Sequence, residues 1–411
     1  MRELYEPDAL AEALREARAR TLAIYGHLDD AALEVPYLEI VNPPLWELSH
    51  IAWFQEFWCQ RYRADDPQGQ RVPSIAGDAD PRFNSSIVAH RDRWAIARMP
   101  RAEVLAYMDE TLTATLTALA RSDHVFRYFF RLALLHEDMH GEALLMTLQT
   151  LGLPAPAIHS VDPPRSSSAP SRDIVFEGGS FMQGSAPGTR DFIFDNERGC
   201  HLSTVRAFAI ADRPVSQGEF AAFVEDQGDG QRLPLYWRRE GGQWLVRRYD
   251  AWHPLDEGAP MMHVTLHEAQ AYCRWARRRL PTETEWEFAA SNGGNGERYP
   301  WGNFPDNAPA ALDYRYRGPS GALGEEMQSR RGLRQMLGGV WEWTATPFAP
   351  YEGFKPDPYK EYSEPWFHTH QVLRGGSFAT RGRLIHNRWR NFYKPERNDA
   401  FAGFRTCALE A

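Results

Sequence analysis

The chain has 411 residues, of which 43% are hydrophobic and 25% charged, and a formal net charge of −9 at pH 7. That length exceeds one ordinary core and predicts two domains, while the negative balance removes the electrostatic footprint of a nucleic-acid binder. No stretch approaches the roughly 18 uninterrupted apolar residues of a membrane span, and the four scattered cysteines, Cys59, Cys200, Cys273 and Cys407, read as buried free thiols rather than a disulfide framework or thiolate zinc site.

Residues 1–8 are acidic and lead into Leu10 and Ala11 without a basic start or an apolar block, so no secretory signal is predicted and the expected location is cytoplasmic. Residues 1–153 carry long helical periods. Leu10, Leu14, Ala17, Thr21, Ile24 and Leu28 form one apolar stripe, predicting a first helix. A second starts near Pro43-Pro44 and runs through Trp46, His50, Trp53, Phe57 and Tyr62, because proline suits the first helical turn. A third covers residues 101–121. The fourth starts at a capping residue, Ser122 or Asp123, and stops at Gly152 before Pro154. Four such helices predict a bundle.

Residues 154–171 shift to proline, serine and alanine and read as a linker. Residues 172–411 consist of short apolar runs broken by glycine, proline, asparagine and aspartate, with two clear helices, at residues 216–225 and 267–278, and the basic run Arg277 to Arg279 on a solvated helix end. An irregular α+β domain with aromatic-packed loops is expected, consistent with 14 tryptophans, some of which could instead form a ligand cage.

The run His136-Glu137-Asp138-Met139-His140 places two imidazoles four residues apart on one helix face, with Cβ atoms about 6 Å apart, a spacing that suits one metal. It also satisfies His-Glu-x-x-His, the zinc-protease helix in which the glutamate is general base. That reading needs a third ligand, and the metzincin position falls on Met146. His50, in the apolar run Leu48-Ser49-His50-Ile51, is by itself as readily a core histidine. The second and fourth helices of a bundle can face each other, however, and the three imidazoles would then meet inside it. Such a set suits zinc, iron or nickel and leaves positions open for reactants.

A bundle carrying His50 and then His136-x-x-x-His140-x-Glu142, followed by a second half with ordered landmarks, resembles the ergothioneine-type sulfoxide synthases. Those landmarks are Glu177-Gly178-Gly179-Ser180-Phe181, Phe194-Asp195-Asn196-Glu197, Arg279-Leu280-Pro281-Thr282-Glu283-Thr284-Glu285-Trp286-Glu287, Gly338-Gly339-Val340-Trp341-Glu342-Trp343, Arg374-Gly375-Gly376-Ser377 and Gly403-Phe404-Arg405. The resemblance implies a DinB-like four-helix bundle fused to a formylglycine-generating-enzyme-like domain of C-type-lectin fold. It also implies Fe(II) on His50, His136 and His140, oxygen as oxidant, and trimethylhistidine (hercynine) as substrate. Asn391 and Phe392 correspond to the pair that holds hercynine, Trp389 and Trp341 are further cage candidates, and Arg397 corresponds to a residue that reads the donor. Tyr351, Tyr359, Tyr362 and Tyr393 lie in loops suited to a proton or electron donor. The formylglycine-generating activity itself needs a cysteine pair near the C-terminus, and none lies between Cys273 and Cys407.

Three positions depart from the ergothioneine pattern. Met139 replaces a common glutamine, Tyr393 replaces an aspartate that meets a peptide donor, and Phe83-Asn84-Ser85-Ser86 with His90-Arg91-Asp92-Arg93-Trp94 replaces the usual donor loop, leaving Arg91 and Arg93 as donor contacts. That segment and Asn42-Pro43-Pro44-Leu45-Trp46-Glu47-Leu48 resemble the selenoneine synthase branch, which implies a selenosugar donor and carbon–selenium bond formation. The alternatives are a carbon–sulfur bond from cysteine or γ-glutamylcysteine, a zinc hydrolase, or a sugar-binding module without turnover. Glu137, Asp138 and Glu142 are expected behind the ligands or at the surface. No nucleic-acid or membrane partner is expected.

Overall fold

Pro7 at the first helical position and the apolar stripe behind it form α1 (Pro7–Tyr25), with Leu10, Leu14, Ala17 and Ile24 buried. The structure, a computed structural model, describes residues 6–97, 99–123, 126–166, 169–186, 188, 192–228, 233–303, 311–321 and 329–410. Residues 1–5 of the acidic lead-in, with Ser167 and Ser168 of the serine run, lie outside them. Chain contacts divide the protein into two compact units, residues 1–158 and 159–411. Among the described residues no helix is long and apolar enough to cross a membrane.

In the first unit the short α2 (Asp30–Leu33) leads to α3 (Pro44–Glu56), which opens on Pro43-Pro44 as predicted. All of α3 from Trp46 to Glu56 is buried, so this helix lies at the centre of the unit. It continues into a π-helical turn, Phe57–Arg61. The short α4 (Ala79–Phe83) and α5 (Arg93–Ile96) precede α6 (Arg101–Leu119) and α7 (Arg127–Leu151). Gly152, at φ +68°, stops α7 in the left-handed conformation expected of a C-terminal glycine. The start of α7 differs from the prediction: Asp123 accepts from the Phe126 amide at 2.7 Å, and the helix begins only at Arg127.

Arg18 on α1 ties the bundle together. It donates to Glu137 on α7 at 2.9 and 3.2 Å, to Gln55 on α3 at 3.0 Å, and to the Met108 carbonyl on α6. Glu137 is therefore a buried structural partner and not a surface group. Arg18 and Glu137 are 3% and 1% exposed, so each charge depends on the other.

The second unit contains two four-stranded sheets. The first has the order β1 (Asp173–Phe176), β4 (Phe208–Ala211), β13 (Cys407–Ala408), β8 (Arg278–Arg279). The second runs β11 (Asn391–Tyr393), β10 (Gln371–Arg374), β9 (Trp341–Pro347), β12 (Ala402–Gly403). A hairpin of β2 (Gly179–Gln183) and β3 (His201–Val205) and a meander of β5 (Trp237–Glu240), β6 (Gln243–Arg248) and β7 (Ala251–Pro254) complete it. The predicted helices are α8 (Gln217–Gln227) and α9 (Leu266–Trp275). The structure adds α10 (Glu283–Ala290), which the sequence reading missed: Thr282 caps the Glu285 amide while the Glu285 carboxylate returns to Thr282. Arg278 and Arg279 do not end a solvated helix. They pair with β13 and bond Asp173 and Glu285.

The landmark residues build the interior. Arg405 pairs with Glu342 through two 2.8 Å contacts, Trp286 donates to the same carboxylate at 2.7 Å, and Arg405 reaches the Ala211 carbonyl, joining β9 to β4. Glu283 receives Arg390 at 2.6 and 3.1 Å and Arg374 at 3.0 Å. Gly403 is required by close approach, since a Cβ there would lie 2.0 Å from the Met261 carbonyl. From residue 159 the proline- and serine-rich segment belongs to this unit: Val161 exchanges backbone bonds with Arg315 and Arg317 at 3.0 Å, and Ser166 bonds Asp256 and the Gly321 amide.

Candidate metal centre

The central position of α3 and the four-residue spacing on α7 bring His50, His136 and His140 together. One ring nitrogen from each lies within 4.8 Å of the others, and among the described residues this is the group able to hold a metal ion. Ring centroids are 5.2 Å apart for His50 and His136, 5.0 Å for His50 and His140, and 4.4 Å for His136 and His140. His50 and His136 are buried and His140 is partly open.

Partners on the far nitrogens orient the rings. His50 Nδ1 lies 2.7 Å from the Phe83 carbonyl, which can only accept, so Nδ1 carries the proton and Nε2 is left as a donor atom. His140 Nδ1 lies 2.7 Å from Glu47 Oε1, with the same consequence. Phe54 stacks flat on His136, with centroids 3.5 Å apart and planes within 4°. Trp46 stacks on His50 at 5.2 Å, and the Arg93 guanidinium lies 4.2 Å over Trp46. Burial, then His140, holds His50 well below the usual histidine range. Burial, then His140 and His50, does the same for His136. Neutral imidazoles are the form that binds a metal, so these residues fit a three-nitrogen site for a borderline cation.

Glu47 is the site residue that sequence reasoning did not single out. It lies one turn before His50 on α3 and is 1% exposed. The available signal was a carboxylate three residues from a candidate ligand on a mostly apolar helix. The acidic residues that were considered, Glu137, Asp138 and Glu142, are buried on α7.

Met139 stands between the two α7 histidines and is half-buried. Arg93 bonds Asn42 Oδ1 at 2.8 Å and the Ser85 and Val88 carbonyls, while Arg91 is exposed beside Tyr37. In the second unit Phe392 stacks on Phe348 at 4.1 Å and meets Tyr362 edge-on at 5.8 Å. Tyr362 stacks on Phe194 at 4.1 Å, Trp389 packs against the same ring, and Tyr359 lies 6.2 Å from Tyr362. Phe392, Trp389, Tyr359 and Tyr362 thus share one aromatic cluster, and Asn391 and Tyr393 flank Phe392 on β11. Trp341 is buried in β9, outside this cluster. Tyr351 donates to Glu283 at 2.9 Å under the Arg390 guanidinium, and Arg397 is bound by both oxygens of Asp399 at 2.5 and 2.6 Å.

Comparison with known proteins matches residues 13–144 to the DinB superfamily and residues 160–410 to the sulfatase-modifying factor enzyme 1-like domain. A hercynine oxygenase of Mycolicibacterium smegmatis is 32% identical over 439 residues, covering 97% of this chain and 98% of its own length. A hercynine oxygenase of Mycobacterium tuberculosis is 33% identical over 425 residues, with 97% and 98% covered. Ergothioneine biosynthesis protein 1 of Schizosaccharomyces pombe is 30% identical over 226 residues, covering 52% of this chain and 27% of its own.

Proposed function

The chain belongs to the hercynine oxygenase family of ergothioneine-type sulfoxide synthases, and from that premise we propose a non-haem, Fe(II)-dependent enzyme that joins selenium from a selenosugar to the imidazole of hercynine, using dioxygen. The observation that carries the reading is the His50, His136 and His140 cluster, buried at His50 and His136 and partly open at His140, with Nδ1 of His50 and of His140 already engaged. Bound there, Fe(II) supplies one-electron and dioxygen chemistry and keeps positions open for reactants.

The chain's own groups do the rest. His50 and His136 stay neutral because burial disfavours their charged form. The trimethylammonium of hercynine cannot donate hydrogen bonds, so aromatic faces are the groups able to hold it, and the Phe392 cluster offers them. Tyr351, Tyr359 and Tyr362 are the candidate proton or electron donors, and Tyr359 and Tyr362 share the aromatic cluster of Phe392. The reaction balances as follows. The imidazole C–H and the donor Se–H are lost, and a C–Se bond forms. Dioxygen takes four electrons, placing one oxygen on selenium as a selenoxide and the other in water.

Selenium is favoured over a peptide thiol by the donor contacts. Met139 and Tyr393 lack the amide and carboxylate of the thiol pattern. Arg397 already carries Asp399, and Arg93 is engaged by Asn42 and two carbonyls, so neither is poised for a peptide carboxylate. A neutral sugar needs no such cation. The test is an aerobic assay of the Fe(II)-loaded protein with hercynine, offering a selenosugar, cysteine and γ-glutamylcysteine separately and following products by mass. Turnover with the selenosugar alone is expected. Preference for a thiol would move the protein to carbon–sulfur formation, and no oxygen-dependent product from any donor would overturn the proposal.

A further inference from the structure

Glu47 is a carboxylate that is 1% exposed, on the same helix face as His50, and the hydrogen bond it makes is from His140 Nδ1 at 2.7 Å. A buried anion is costly unless a positive charge or several donors compensate it. Arg93 is close enough to feel Glu47 electrostatically, but its two terminal nitrogens bond Asn42, Ser85 and Val88 rather than Glu47. A neutral imidazole gives Glu47 one hydrogen bond and no charge. A cation on the other nitrogen of the same ring would supply that charge through the ring, and the carboxylate would in turn make the ring a stronger donor. His50 differs, because its far nitrogen meets a peptide carbonyl.

We propose that Glu47 is a positioning residue of the metal centre. It fixes His140 with Nε2 directed to the metal position, and it makes His140 a more electron-rich ligand than His50. Because Glu47 and His50 share α3 while His140 lies on α7, the same hydrogen bond sets the rotation of α7 against α3 at the site. The inference rests on the metal reading of the three-histidine cluster.

The test uses the full chain and Co(II) alone as probe, with affinity from visible d–d absorption and chelator competition. Metal-free melting is recorded in parallel. Glu47→Ala is expected to weaken Co(II) binding by roughly 10- to 100-fold. Glu47→Gln, which keeps the shape and an acceptor oxygen but not the charge, should fall between Glu47→Ala and wild type and should shift the Co(II) bands. If Glu47→Ala does not fold, the Gln variant carries the test. Co(II) affinity within about twofold of wild type in the folded variants would overturn the proposal. So would a lower metal-free melting temperature with the Co(II)-induced rise in melting left intact, the signature of a merely structural carboxylate. Failure of the wild-type chain to bind Co(II) would instead sink the metal reading itself.

Discussion

Replacing Arg18 by methionine leaves Glu137 buried at 1% exposure with no cation, because Arg18 supplies its hydrogen bonds at 2.9 and 3.2 Å. Breaking a buried pair from one side costs about 3–5 kcal/mol. Glu137→Leu strands the guanidinium with only Gln55 and the Met108 carbonyl, and should cost a similar amount. The double variant removes both charges. Its remaining loss is the donor to Gln55 and one of two bonds to a helix carbonyl, about 2 kcal/mol together. Arg18→Met with Glu137→Leu is therefore expected to be more stable than either single variant, a coupling on the order of 5 kcal/mol. Urea unfolding followed by far-UV circular dichroism, which is dominated by the helical unit, reads the midpoints. Unchanged slopes against urea would show that the same surface unfolds in each variant. A double variant that loses as much as the two singles combined would refute the reasoning, because the two residues would then act independently.

Alanine at His50, His136 or His140 is expected to abolish Fe(II) retention through desalting while the circular dichroism spectrum stays that of wild type; metal content by mass spectrometry checks this. In the second unit burial lifts Glu197 from 4.5 to about 8, and His386 Nε2 faces it at 3.2 Å without hydrogen-bond alignment. A raised carboxylate binds its proton more tightly in the folded state, so its stabilisation is complete below 4.5 and is lost as pH rises to about 8. His386, held well below its usual range by burial, has the opposite slope, but only below about 6.5, where the unfolded imidazole protonates. Between pH 6.5 and 8 the Glu197 slope therefore stands alone and should remove about 2 kcal/mol. Thermal melting across that window should fall in wild type and stay flat in Glu197→Gln; a slope that survives in the variant would show another group is responsible.

What the sequence disclosed follows from how local each signal is. The two α7 histidines declare themselves because helical spacing alone puts them on one face. His50 needed the bundle, since only the packing of α3 on α7 separates a ligand from a core histidine. Glu47 was hidden because a carboxylate in a helix reads as solvated until packing shows it buried against a histidine of another helix. The missed α10 has eight residues, too few to show a period, although Thr282 and Glu285 carried its capping signature. Strands such as β8, β12 and β13, with two residues each, have no local pattern, because they exist only through partners far along the chain. Arg405 and Glu342 appeared as landmarks of a resemblance, and their physical role, joining two sheets through one buried pair, required the coordinates.

The placement of residues 402–408 has a consequence for synthesis. β12 adds in parallel to β9, and β13 inserts between β4 and β8, with Arg405 between them. Both four-stranded sheets therefore wait for a segment made more than a hundred residues after α10. The helical unit, a compact unit within residues 1–158, can form while the ribosome is still translating. The second unit cannot, and a nascent chain lacking those residues would display an open edge at β4 and leave Glu342 with Trp286 but no cation, so late truncations fall on this half.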